Sequence, residues 1–392
     1  LLRYLKSLIY NSVAELRIKM KLVCIYQVIL PYRVGVYERL GNSSKFDFEL
    51  LYGKSCVGTK KVNYSGPLNF KHSRIKCFYI PFKTNNGEST LQISPFLFFS
   101  LLKRSPDVIF SEGTSNLINA SVAFIYAKLF RKKYIWWSLG QLSGRKHKGI
   151  RLLMQKWIDY IELKSDAIFT YSTQGENYFL SKRISQEKIF KSINVIDTER
   201  KENQIKSLGN NGKNPGFNIV FVGAVIKEKR LEFLLDAVNF LGKKKKDIML
   251  HVIGDGPYLE NIKEYALSIG LSNVKFYGKV FDGLSELLLK FNVLVLPGLG
   301  GLAIADGMIH SLPIIAGKAD GTEWDLIDSS CGFVTSEMSV DYLIEKLDYL
   351  YSNPEIVAKM GKASYERIIS KFSINHYMNG LFNCIDYVKS KK

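Results

Sequence analysis

The chain has 392 residues, 46% hydrophobic and 23% charged, with 30 Gly and 10 Pro; this length fits two domains with separate cores, and the composition excludes a disordered or fibrous chain. No apolar run reaches the ~18–20 residues of a membrane-spanning helix, since Leu117–Phe130 contains Asn119 and Lys128 and Ile93–Leu102 contains Pro95. The net charge is +19, of which residues 1–197 carry +18 and the remainder +1, so the first half is the part suited to an anionic surface or substrate.

In chain order, residues 1–19 precede Met20 and are expected to be an upstream extension, with an amphipathic helix on Leu2, Leu5, Leu8 and Ile9 as the alternative. Strands are predicted at Leu22–Ile29, Phe46–Tyr52, Lys76–Ile80, Val108–Phe110, Tyr134–Trp137 and Ala167–Tyr171. Helices are predicted between them, at Val34–Leu40, Pro95–Lys103, Asn116–Phe130, Ile150–Lys164 and Gln174–Ser181. Alternating strand and helix implies a mainly parallel sheet covered on both faces. The polar stretch Thr198–Phe217 ends in an Asn/Gly/Pro cluster and reads as a linker. The alternation then restarts at Asn218–Val222 and runs to Ile314–Ala316, and 354–392 reads as helices. The expected architecture is α/β, with two Rossmann-like doubly wound domains facing across a cleft. The expected boundaries are 20–197, 218–370 and a C-terminal helix at 371–392, for which a return to the N-terminal domain is open. The five cysteines (Cys24, Cys56, Cys77, Cys331, Cys384) show neither disulfide nor zinc spacing, which suits a reducing cytoplasm.

The chemistry-bearing segments follow strands of the second half. Gly223-Ala-Val-Ile-Lys-Glu-Lys229-Arg230 offers a turn and a lysine ahead of a helix, which suits a phosphate as well as plain solvent. Gly254-Asp-Gly-Pro257 permits close backbone approach to a ligand, and is equally an ordinary strand-to-helix turn. Pro297-Gly-Leu-Gly300-Gly301-Leu302 opens a helix whose free N–H groups make a diphosphate cradle, with Asp306 one turn in. No GxGxxG or GxxxxGK[ST] occurs, so dinucleotide and P-loop readings lose support.

This order of segments, GAVIKEKR, VIGDGP, FYGKV and LPGLGGLAIADGMIHSLPII, resembles the nucleotide-sugar half of GT-B glycosyltransferases, especially the retaining family 4 (group 1). The resemblance covers the second half at motif spacing and the first half architecturally. It implies that Lys229 neutralises the donor diphosphate, that Gly254 lies close to the donor, and that the Val280 backbone meets the nucleobase. It further implies that Gly301 and Leu302 give amides to the phosphates, that Asp306 holds the ribose, and that Glu323 is a loop acid near the donor. Three departures stand out: Gly298 replaces the first acid of the E-x7-E pattern, Ala224 replaces an arginine, and Leu139 falls near a histidine position. Arg33 is the candidate to restore the missing positive charge from the other domain, and Glu112, in Ser-Glu-Gly-Thr-Ser after a strand, is the candidate to orient an acceptor hydroxyl.

The implied function is transfer of a sugar from a nucleotide diphosphate to a glycan or lipid-linked acceptor in surface polysaccharide assembly. Anomeric configuration would be retained. No resident cofactor is expected, and without DxD or a ligand cluster no metal either. The alternatives are an epimerase-type nucleotide-sugar enzyme and a catalytically degenerate sugar-nucleotide-binding or membrane-scaffolding protein. Basic residues beside aromatic and apolar ones, at Arg131–Lys133, Arg145–Lys148 and Lys103-Arg104, suit an anionic membrane surface. They imply a cytoplasmic protein peripheral on the inner face of the membrane. No nucleic-acid motif is present, so nucleic acid is not expected as a partner.

Overall fold

The computed structural model describes residues 19–56, 61–84, 87–140, 149–209, 212–280 and 282–391. The expected extension, apart from Lys19, and the basic cluster Arg145–Lys148 lie outside them. In chain order the elements are β1 (Met20–Ile25), α1 (Val34–Gly41), β2 (Phe46–Tyr52), β3 (His72–Arg74), β4 (Phe78–Thr84), β5 (Gly87–Ile93), α2 (Leu97–Arg104), β6 (Val108–Glu112), α3 (Leu117–Leu129), β7 (Lys133–Trp137), α4 (Ile150–Lys164), β8 (Ala167–Thr170), α5 (Thr173–Ser181), β9 (Ile189–Lys191) and α6 (Thr198–Leu208). They continue as β10 (Phe217–Val222), α7 (Leu231–Gly242), β11 (Ile248–Ile253), α8 (Leu259–Ser268), β12 (Val274–Gly278), α9 (Leu284–Leu288), β13 (Val293–Leu296), α10 (Ala303–Ile309), β14 (Ile314–Gly317), α11 (Thr322–Leu326), β15 (Gly332–Thr335), α12 (Val340–Ser352), α13 (Pro354–Lys371) and α14 (Ile374–Ser390).

Two sheets organise these elements. One has the order β3-β2-β1-β6-β7-β8-β9, the other β12-β11-β10-β13-β14-β15. Neighbours pair in parallel, as in Cys24 opposite Leu50 and Phe110, and Val220 opposite His251 and Leu294. The central strands are uninterrupted apolar runs buried along their length, such as Leu22–Ile25, Val293–Leu296 and Ile314–Gly317. A strand covered by helices on both faces has no solvent side to alternate towards. In the second sheet the chain order reverses direction at β10 and β13, so the loops after these two strands flank the switch point where ligands of such sheets bind.

The chain divides into two compact units. The first takes the described residues of 1–138, 147–168 and 384–392, the second those of 139–146 and 169–383. The last turns of α14 thus group with the first unit, where Lys45 pairs with Asp386 at 2.7 Å.

The elements β3, β9, β15, α11 and α12 have no counterpart among the predicted ones, and two predicted segments differ in kind. Thr198–Phe217, read as a linker, contains the helix α6. It is capped by Asp197, whose side chain accepts from the Arg200 N–H at 3.2 Å. Glu202 accepts from the Tyr365 hydroxyl at 2.7 Å and Gln204 from Ser285 at 3.2 Å. Polar contacts rather than an apolar stripe hold this helix, so hydrophobic periodicity could not reveal it. The second departure is the antiparallel hairpin β4–β5, with Phe78 opposite Ile93, where one short strand at Lys76–Ile80 was expected.

His251, on the buried strand β11, stacks on Phe291 with centroids 4.3 Å apart and has ring nitrogens 2.9 Å from both the Asn218 amide oxygen and the Tyr277 hydroxyl. Burial, helped by Lys275, lowers its pKa to about 4, and His310 is likewise lowered to about 4. Both rings therefore fold neutral, and the stability they contribute is complete above their unfolded value near 6.5 and is lost as pH falls towards 4. Each accounts for a slope of at most about 1.4 kcal/mol per pH unit. Urea unfolding between pH 7 and 4.5 is expected to show this acid slope, and His251→Gln is expected to make it shallower.

Candidate functional site

Four loops at the carboxyl ends of the second sheet lock together through their backbones. The Gly223 N–H donates to Ile253 O at 3.0 Å, Val225 N–H to Asp255 O at 3.0 Å, and Gly254 N–H to Gly278 O at 2.8 Å. Gly254 adopts φ +146°, and a Cβ there would stand 1.8 Å from the Gly223 carbonyl oxygen. No residue with a side chain fits so close a crossing.

The loop after β10 then meets the loop after β13. The buried Lys229 ammonium donates to the carbonyls of Leu299 and, at 3.1 Å, Gly300. The Leu299 N–H returns a bond to Glu228 O at 3.3 Å. Beside this junction Gly301 sits at φ +76° with open space where a Cβ would be, followed by Leu302 and the start of α10. The structure thus brings Lys229, Gly254, Gly301 and Leu302 onto neighbouring loop ends. Val280, half-buried, lies two residues past the end of β12.

The same junction explains Gly298. A Cβ on this residue would lie 2.0 Å from Glu228 O and 2.9 Å from the Lys229 backbone. The turn at Lys227–Lys229 fills the volume that an acid at position 298 would need.

Two expected site acids have other engagements. Glu323 is wholly buried, and its carboxylate accepts from the N–H groups of Ala319 at 2.8 Å and Gly321 at 3.0 Å. It pins the loop after β14, with both oxygens engaged by loop amides. Asp306 is largely buried, and Lys201 of α6 lies 3.8 Å from its Oδ1, an atom without a hydrogen-bond partner. Burial pushes the Asp306 carboxyl up and Lys201 pulls it down. The His310 ring, one turn on, donates from Nδ1 to Asp306 O at 2.6 Å. Lys201 was missed because its segment carried no periodic signal.

Arg33 and Glu112 both fall in the first unit. Arg33 is 2% exposed and stacks over Trp137 at 4.4 Å and Tyr32 at 5.1 Å. Glu112, at the end of β6, accepts from Ser115 Oγ at 2.5 Å, while its Oε2 is buried without a hydrogen-bond partner. Burial raises its carboxyl, opposed by Ser115, Gln27, Lys61 and Arg33. Within the first unit Arg33 and Lys61 both act on the Glu112 carboxyl, pulling it down against burial. Among the described residues no group of three or more potential metal ligands occurs.

The fold is that of an α/β protein with two Rossmann-like sheets, the GT-B class. Residues 200–367 match the family of glycosyl transferases group 1. An uncharacterized glycosyltransferase of Methanocaldococcus jannaschii is 30% identical over 158 residues, 39% of this chain and 43% of the relative. The O-antigen chain mannosyltransferase C of Escherichia coli is 26% identical over 171 residues, 42% and 45% of the two chains. The chain thus spans less than half the length of these two relatives. Anabaena HepE, solved with UDP, is 14% identical with a TM-score of 0.70 over 94% of this chain and all of its own, a likeness of fold.

The Lys201–Asp306 pair yields a pH-dependent expectation. Lys201→Met leaves a largely buried carboxylate without its cation and is expected to cost about 1–3 kcal/mol at pH 7. Asp306 then has a still higher folded pKa. The cost should grow as pH rises above the unfolded value near 4 and shrink below it, where the group is protonated in both states. Urea unfolding of wild type and variant at pH 7 and pH 4 measures the difference.

Proposed function

We propose that the protein transfers a sugar from a nucleotide diphosphate to a glycan or lipid-linked acceptor, with retention at the anomeric carbon and without a metal. The observation that carries this reading is the Lys229 ammonium held against the Leu299–Gly300 backbone beside the open Gly301 turn. The likeness to an O-antigen mannosyltransferase favours a polysaccharide acceptor.

Cleaving the sugar–phosphate bond leaves an oxocarbenium-like sugar and a diphosphate whose negative charge grows. A cation and preorganised amides at the leaving group stabilise that charge more in the transition state than in the ground state. In this reading Lys229 moves from two carbonyls onto the diphosphate, and Gly301 and Leu302 offer their N–H groups. Gly254 admits the donor, Val280 borders the base, and Asp306 accepts from the ribose hydroxyls at the expense of its pairing with Lys201. Glu112, raised by burial, orients the acceptor hydroxyl through Oε2, and Arg33 and Lys61 hold that carboxyl in place.

The acceptor reading includes a membrane. On the first unit, α2, α3 and α4 pack in sequence through Phe98 against Tyr126 and through Phe124 against Trp157. They leave Phe99, Leu129 and Leu153 about two-thirds exposed, with Phe96, Ile125, Phe130 and Leu163 also outside. Lys103, Arg131, Arg151 and Lys164 stand exposed beside them. Exposed large apolar groups ringed by lysine and arginine match the headgroup region of an anionic bilayer. Among the described residues no helix is long and apolar enough to cross one. The reading is therefore of a cytoplasmic protein peripheral on the inner face of the membrane.

Thermal stabilisation by UDP, GDP and ADP is the direct test. One of them should raise the unfolding midpoint, and Lys229→Met should weaken its binding about tenfold or more. Product formation with defined anomeric configuration distinguishes transfer from epimerisation, and binding without turnover would favour a degenerate protein. Co-sedimentation at low salt is expected with anionic and not with neutral vesicles. Phe99→Ser with Leu153→Ser should abolish it.

A further inference from the structure

The second unit holds a cavity of about 270 Å³ lined in part by Gln174, Arg230, Pro297, Lys318 and Ser336. Its charged lining is two cations and no carboxylate. Glu228 and Glu232 flank Arg230 in sequence and Glu337 flanks Ser336, none of them in the lining, and three acids that follow Lys318 are committed to other donors. Asp320 accepts from Thr322 Oγ1 at 2.6 Å, Glu323 from two loop amides, and Asp325 from the Thr173 N–H at 2.8 Å. Among the described residues neither Arg230 nor Lys318 forms an ion pair.

Arg230 is held at φ 50°, ψ 43°, in the left-handed region, which is unfavourable for a residue with a long side chain. Strain retained at the rim of a cavity points to a use for the side chain that sits there. Lys229 is not part of this lining, because its ammonium is directed to the Leu299 and Gly300 carbonyls. The volume lies just below the ~300 Å³ lower bound of whole-ligand pockets, so a charged fragment fits better than an entire nucleotide sugar.

We propose that Arg230 and Lys318 form an anion subsite, separate from Lys229, that takes a phosphate or carboxylate group of the substrate. The identity of the substrate rests on the glycosyl-transfer reading; the subsite itself does not. Two sources share this chemistry: the terminal phosphate of the nucleotide, and a carboxylate on an acidic transferred sugar.

Calorimetric titration of the intact chain with inorganic phosphate at fixed ionic strength tests the subsite. Lys318→Gln and Arg230→Gly should each weaken binding about tenfold. Arg230→Gly should also raise the unfolding midpoint by a few degrees through relief of the left-handed arginine, which separates lost affinity from lost fold. Absence of saturable phosphate binding to the wild type, or binding unchanged in either variant, would overturn the subsite. If Lys318→Gln weakens UDP and GDP but not UMP and GMP, the nucleotide phosphate is the occupant. Weakening of UDP-glucuronate but not UDP-glucose identifies an acidic sugar. A chain that binds phosphate through Lys318 but no nucleoside diphosphate would sink the glycosyl-transfer reading and leave the subsite standing.

Discussion

A buried ammonium resting on two backbone carbonyls is the interaction on which the second unit's binding face depends. Lys229 sits 8% exposed between the loops after β10 and β13 and donates to Leu299 and Gly300. A charge in that position is costly unless its N–H groups are engaged. Loop carbonyls meet part of that need and carry only partial negative charge. A diphosphate offers the same N–H groups full negative charge, so the resting arrangement is one that an anionic ligand can improve upon. In the proposed reading the junction therefore combines structural closure with a place for phosphate.

The backbone around this lysine is packed as tightly as peptide groups allow. Gly254 crosses the Gly223 carbonyl, and Gly298 lies against the Glu228 carbonyl. Each crossing removes room for a side chain. The acid missing at position 298 is thus a consequence of how closely the Lys227–Lys229 turn approaches the loop after β13. In place of a side chain at 298 the fold has a tight backbone contact beside the lysine. In the first unit the same strand-end logic gives a different chemistry, with Glu112 buried beside Arg33 and Lys61 and Trp137 beneath the guanidinium.

What the sequence disclosed follows from which interactions leave a periodic trace. Buried parallel strands such as Val293–Leu296 and Ile314–Gly317 appear as continuous apolar runs, and glycines at strand ends mark close crossings, so the α/β architecture and the loop cluster were legible. The helix α6 was not, because its hold on the unit comes from a cap, Glu202 and Gln204 rather than from an apolar face. With it went Lys201, the cation beside Asp306. The part Glu323 plays in holding its loop was hidden for a related reason: a carboxylate that pins its own loop and one that faces a ligand look alike in a string of letters. Lys318 and Arg230 each look like solvated surface until the fold sets them around one cavity whose lining holds no acid.

The loop junction also organises the functional account, since the proposed chemistry asks little of the protein beyond charge held in the right place. The decisive measurement is a crystal structure with a bound nucleoside diphosphate. The account predicts that the Lys229 Nζ leaves the Leu299 and Gly300 carbonyls and lies within about 3 Å of a phosphate oxygen, with Gly301 alongside. A nucleotide bound elsewhere while Lys229 keeps both carbonyls would contradict it.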